Sequence, residues 1–269
     1  MADWGKISSR GNVEDRRALG PAVIGGISTV GLIAYVVFNL LSGASPTDVI
    51  NELNNIPIPK QQNIDPSEFS GEDSYEVFTS TVLGSVNDMW LSAFSQMNNV
   101  YTPPKLVLFR QLTESACGTA SSEVGPHYCP FDETIYLDET FFDELATRLG
   151  ASSGDVAQAY VIAHEVGHHT QNLLGLITTD ESNAQSIAVE LQADCFAGLW
   201  ASSIKNRGVF EVGEISEALS AVAAVGDDRI QKNTTGRINP ETWTHGSSQD
   251  RLDSFTRGYD SRNLSACNL

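Results

Sequence analysis

Apolar residues recur at helical spacing through most of the second half of this chain. Between Tyr75 and Asn98, Val77, Phe78, Val82, Leu83, Met89, Trp90, Leu91 and Phe94 keep that spacing and predict a first long helix. Lys105 to Gln111 and Thr134 to Asp138 read instead as strands, and predict a small antiparallel sheet around the segment from Cys117 to Cys129. Phe141 to Leu149 is helical in pattern. Ser152-Ser153-Gly154-Asp155 is an S-x-x-D cap ahead of a helix over 155–174, which Gly175 ends. A further helix carries Leu191, Ala193, Phe196, Ala197, Leu199 and Trp200, and Ile215 to Val225 has the small apolar residues of a packed helix. The last helix runs from Ser247 to Arg257 behind a second S-x-x-D start at Ser247 to Asp250. The fold class is therefore α+β, predominantly helical with one small antiparallel sheet, in a single domain over 74–269.

One stretch has no polar face at all. Residues 18–41 form an uncharged run of 24 residues, and about 20 predominantly apolar residues suffice to cross a bilayer as a helix. A cleavable signal peptide has an apolar core of only about 7 to 15 residues, and no A-x-A site follows Leu41, so the run predicts one retained transmembrane helix. Lys6, Arg10, Arg16 and Arg17 precede it and no basic residue follows until Lys60. The positive-inside rule then makes 1–17 a cytoplasmic segment and puts the domain in the periplasm or outside a bacterial cell. Residues 42–73, rich in Ser, Asn, Pro and Gln, read as a tether with a short helix over 48–54.

Charge and cysteines refine this picture. The chain carries 16 basic and 34 acidic residues, a net charge of −18, which argues against nucleic acid and against anionic membrane surfaces as partners. All four cysteines follow the apolar run, where an exported compartment permits two disulfides. Cys117 with Cys129 is the favoured local pair, leaving Cys195 for Cys267.

The candidate chemistry lies in His164-Glu165-Val166-Gly167-His168. On a helix, residues four apart share a face, so both imidazoles can reach one ion with Glu165 beside it. From this chain's composition, H-E-x-x-H arises by chance in about one such sequence per hundred, so context has to confirm it. Glu190, 22 residues after His168, supplies that context: a His-His-Glu set leaves one open position on tetrahedral Zn2+. Asp194 follows Glu190 by one turn and could accept the second ring N–H of a ligand histidine. The alternative for both acids is a solvated helix face, which the surrounding apolar residues leave little room for. These residue types suit hydrolysis by a zinc-activated water with Glu165 as general base. His169 points about a hundred degrees around the helix from His168, away from the metal.

Gln158 to His169, Glu190-Leu191-Gln192-Ala193-Asp194-Cys195, Gly226-Asp227-Asp228-Arg229 and Thr244-His245-Gly246 resemble the bacterial family of neutral zinc metallopeptidases, as does Asn12-Val13-Glu14-Asp15-Arg16-Arg17. The resemblance implies a membrane-anchored, zincin-like metallopeptidase domain acting on peptide or protein substrates. A wider similarity, to membrane zinc peptidases that pair H-E-x-x-H with E-x-x-x-D and a later T-H-P, implies that His245 donates a hydrogen bond to the transition state and that Arg251 orders the site; Gly246 stands where those proteins have Pro. Asp227 and Asp228 read equally as partners of the site or as a capped helix terminus. Ile135-Tyr136-Leu137 is a candidate exposed edge for an extended substrate, with a fully paired core strand as the other reading. A catalytically silent, zinc-stabilised scaffold and a hydrolase of non-peptide amides are the other function classes.

Overall fold

Asp73 starts the first long helix as a cap. Its Oδ1 accepts the backbone N–H groups of Tyr75 and Glu76 at 2.9 and 2.8 Å, two of the donors a helix start leaves unpaired. The helix, α1 (Ser74–Gln96), buries Val82, Leu83, Val86, Trp90 and Phe94. It belongs to a computed structural model that describes residues 1–19, 69, 71–122, 124–152, 154–177, 182–211 and 213–268.

Six strands are described: β1 (Asn12–Asp15), β2 (Lys105–Phe109), β3 (Leu112–Ser115), β4 (Gly118–Ser121), β5 (His127–Cys129) and β6 (Thr134–Asp138). β3 and β4 form a hairpin of their own, and the main sheet has the order β1-β2-β6-β5. Both predicted strand regions are strands, but the main sheet is not antiparallel. β1, β2 and β6 run parallel, and only β5 opposes β6. The physical reason is the connection from β2 to β6, residues 110–133, which holds the hairpin and β5 and is long enough to return the chain to the same end of the sheet. Ile135-Tyr136-Leu137 is consequently not an edge: it is buried, with β2 on one side and β5 on the other. The edge strand on that side is β5, held to the β3–β4 turn by the Cys117–Cys129 disulfide and packed near the helix that carries H-E-x-x-H.

The described amino-terminal residues pack against these elements. β1 pairs with β2 from Asn12↔Lys105 to Asp15↔Leu108. Backbone and helix touch where glycines allow it: a Cβ on Gly84 would lie 2.5 Å from the Arg10 nitrogen, and one on Gly11 2.5 Å from Leu83 Cγ. Trp4 stacks parallel to Trp200 and meets Phe78 and Phe210 edge-on. The predicted membrane helix falls outside the described residues from residue 20 onward, as do most of the tether and its short helix. Its first two residues, Ala18 and Leu19, close a 3-10 turn (Arg17–Leu19). Among the described residues no helix is long and apolar enough to cross a membrane.

The remaining helices are α2 (Phe141–Leu149), α3 (Asp155–Leu173), α4 (Asn183–Ile204), α5 (Ile215–Ala224), α6 (Asp227–Thr234) and α7 (Ser248–Ser261). The sequence pattern predicts α2, α3, α5 and α7 to within a few residues and α4 without bounds, while α6 begins at the aspartates read as partners of the site or a capped helix terminus. The cap expected at Ser152 is not made. Gly154 is the N-cap of α3, and Asp155 instead accepts from the Ala2 N–H and Trp4 Nε1, at 2.9 and 2.8 Å. Ser247 does cap α7, accepting from the Asp250 N–H at 3.1 Å. The most extensive helix contact is α4 against α7, and it depends on a glycine in each helix: a Cβ on Gly198 would lie 2.1 Å from the Phe255 carbonyl oxygen, and one on Gly258 2.0 Å from that of Cys195. The second disulfide, Cys195–Cys267, ties the tail to α4, so both pairings are the expected ones.

Candidate metal centre

α3 and α4 cross next to the predicted metal-binding residues. Gly167 permits the approach, since a Cβ there would sit 3.1 Å from Ala193 Cα, and the crossing sets Glu190 of α4 opposite His164 and His168 of α3. His164 Nε2 lies 3.1 Å from His168 Nε2 and 3.2 Å from Glu190 Oε2, while His168 Nε2 lies 3.4 Å from Glu190 Oε1. A tetrahedral ion with bonds of about 2.05 Å has ligand–ligand edges of about 3.3 Å, so the donor set and its spacing fit zinc. They are the group among the described residues whose donor atoms could hold a metal ion, all within 4.8 Å of one another.

Each imidazole is oriented from behind. His164 Nδ1 lies 2.9 Å from Asp194 Oδ1, and His168 Nδ1 lies 2.9 Å from Gln171 Oε1. An acceptor at Nδ1 fixes the proton there and leaves the Nε2 lone pair for the metal. Asp194 is itself fully buried and held by Tyr160 Oη at 2.6 Å and by both Nε and Nη2 of Arg251, at 2.7 and 3.0 Å. Gln171 also donates to the Val189 carbonyl and to Gln192 Oε1, and Gln192 donates to the Cys267 carbonyl, so the tail is hydrogen-bonded into the support of His168.

The electrostatics favour a cation. Burial disfavours the charged form of His164, but the carboxylates of Asp194 and Glu190 outweigh it and push the pKa up to about 10. Burial likewise works against Glu190 as an anion, yet the paired histidines hold it well below the usual carboxylate range. The pocket stabilises positive charge among these three side chains, the condition a divalent metal satisfies in place of protons.

The predicted loop residues converge on the same cavity. Asp227, first residue of α6, accepts the backbone N–H groups of Thr244, His245 and Gly246 through Oδ2, at 2.8, 2.7 and 3.0 Å, and its Oδ1 lies 3.1 Å from His245 Nδ1. Gly246 has φ +88°, a conformation closed to proline, and uses the N–H that proline lacks; the departure from T-H-P is thus a requirement of this turn. Asp228 does the other job, accepting the N–H and hydroxyl of Ser248 at the start of α7. The cavity, about 530 Å³, is lined by Glu165, His245, Arg251 and the three candidate ligands. Edge strand β5 contributes His127 and Tyr128, and apolar lining comes from Phe141, Leu149, Val161, Val225 and Ile230. Glu165 is 6% exposed. His169 turns away, as expected, to the Thr102 carbonyl and Tyr128 Oη at 2.7 and 3.0 Å. Sequence reasoning missed Tyr160, Gln171 and His127. The first two stand four before His164 and three after His168, on the ligand face of the helix, and that spacing was a readable signal.

Comparison with known proteins agrees with this centre. A family model described as "Putative neutral zinc metallopeptidase" matches residues 2–269. The uncharacterized protein YpfJ of Escherichia coli (strain K12) is 42% identical over 282 residues, covering 98% of this chain and 97% of the relative. The uncharacterized protein Rv2575 of Mycobacterium tuberculosis (strain H37Rv) is 49% identical over 182 residues, 62% of each chain. No solved structure matches. With a family match over nearly its whole length and the family's metal-binding spacing folded into one cluster, the chain belongs to the neutral zinc metallopeptidase family.

Proposed function

We propose that this protein is a zinc-dependent endopeptidase that adds water to peptide bonds without a covalent intermediate. The observation that carries the reading is the cluster of His164, His168 and Glu190 with Glu165 beside it in an open cavity. Three protein ligands are the number that leaves a position for chemistry, whereas structural zinc sites fill all four. Zinc bound there would supply Lewis acidity and a water acidic enough to lose a proton near neutral pH.

The chain's own residues do the rest. Glu165 takes the proton from the attacking water and returns it to the leaving amine. His245, its Nδ1 held by Asp227, presents Nε2 to the substrate carbonyl oxygen and donates to it when the ring is protonated. Arg251 acts through Asp194 and does not need to touch substrate. The peptide backbone pairs with the edge that β5 forms among the described residues, and an apolar side chain beside the scissile bond packs against Val161, Val225 and Ile230 of the cavity lining.

The test is hydrolysis of an unfolded model protein by the zinc-loaded full chain. Glu165→Gln should retain zinc and lose at least about a hundredfold in kcat, as expected for loss of a general base. Glu190→Ala should lose the metal itself. Equal activity in the parent and in Glu165→Gln would overturn the mechanism, and inactivity of a zinc-loaded parent on a broad peptide panel would favour the scaffold reading.

A further inference from the structure

The chain leaves its described fold at Leu19 and is back in it at Phe69, and both places lie against one side chain. The Arg17 guanidinium sits 4.6 Å above the Phe69 ring, with Nη2 2.8 Å from Asp73 Oδ2. The same group bonds Glu139 beyond β6 through Nη1 at 2.7 Å, and Asp15 of β1 through Nε and Nη2 at 2.9 and 2.7 Å. Arg17 is 1% exposed, so these are contacts inside the domain. A bilayer's hydrocarbon core is about 30 Å thick, far more than these contacts span.

Contacts on either side of Arg17 agree. β1 completes the main sheet along the whole of its length, and without it β2 would present an unpaired edge. The Arg10–Gly11 backbone occupies a groove on α1 that exists because residue 84 has no side chain. Trp4 covers Trp200 and Phe210 and donates to Asp155, first residue of the helix that carries His164 and His168. The basic residues that would orient a membrane span also have partners here: Lys6 on the Gly208 carbonyl, Arg10 on Thr81 Oγ1, Arg16 on Glu14 and Arg17 as above.

We infer that residues 1–19 are an integral strand and clamp of the peptidase domain and lie in the same compartment as the metal centre. A chain that crosses a bilayer once between residues 19 and 69 cannot build this sheet. The inference does not depend on the proposed activity, because it uses only the packing of the first 19 residues.

Two measurements on the full chain test it. The described cysteines are all in disulfides, so an introduced thiol reports alone. Ser8→Cys and Val100→Cys, both exposed, are treated separately with a membrane-impermeant maleimide on intact and on permeabilised bacterial spheroplasts. The two positions should behave alike; with two disulfides in the domain, the expected result is reaction of both before permeabilisation. Labelling of one position and protection of the other would overturn the inference. In the second measurement, Asn12→Cys with Lys105→Cys, facing residues in the β1–β2 register, is joined by a short bismaleimide in a chain carrying an inserted protease site between residues 20 and 68. After cleavage the amino-terminal fragment should stay attached at the mass of one chain. Its release, with both thiols shown to be reactive, would equally overturn the inference.

Discussion

A carboxylate with no exposure to solvent is tolerable only with partners, and Asp194 has three: His164, Tyr160 and a two-point contact from Arg251. Arg251→Met should therefore destabilise the metal-free protein by about 3 to 5 kcal/mol, the cost of stranding a buried charge, read as a lower midpoint in urea. Added zinc should recover part of the loss, since the metal anchors His164 from its other side. Asp227 has a different duty. Asp227→Asn can still accept backbone N–H groups but no longer offers His245 Nδ1 a carboxylate, so kcat should fall about 10- to 100-fold with KM and zinc content little changed. A matching fall in zinc content would place the residue in metal binding instead. The ligands were readable in the sequence because i, i+4 spacing on a helix translates directly into a shared face. Asp227 and Asp228 were readable only as either partners of the site or a capped helix terminus, because assigning one role to each needs the position of the turn at residues 244–248.

Close helix crossings are set by what is missing from the chain. Gly258 of α7 lies on the Cys195 carbonyl, one residue from Asp194, and Arg251 reaches Asp194 from the same α7. Gly258→Ala has no room for its methyl and should cost about 1 to 3 kcal/mol. A control at exposed Arg257 should cost much less, and the two midpoints, measured side by side, check the claim. Helices other than α6 were legible because each carries its own periodic stripe and, at Ser247, its own cap. Strand pairing was not. A run such as Ile135-Tyr136-Leu137 announces burial but not its neighbours, and the neighbours here come from residues 105–109 and 127–129. The missed cap at Ser152 has the same origin, since Asp155 was claimed by residues 2 and 4.

At the scale of the molecule, the two disulfides and the predominantly helical α+β class were legible in the sequence, whereas the sequence pattern divides the chain at its most apolar stretch. That division treats residues 1–17 as a local segment, and nothing local shows that Trp4 packs on Trp200 or that Arg17 pairs with Glu139. The Cys195–Cys267 bridge spans 72 positions and closes the network that supports His168. Replacing both cysteines by Ala should cost about 4 kcal/mol by loop-closure entropy and lower Tm by roughly 10 °C, a change scanning calorimetry would resolve. The parallel pairing of β1 and β2 sets an order of events as well. Asn12 meets a partner 93 positions later, so during synthesis at about 5 to 20 residues per second the first strand waits roughly 5 to 20 seconds for the second to exist. β1 is thus made well before the strand that pairs it, and its two flanks stay unpaired through that interval.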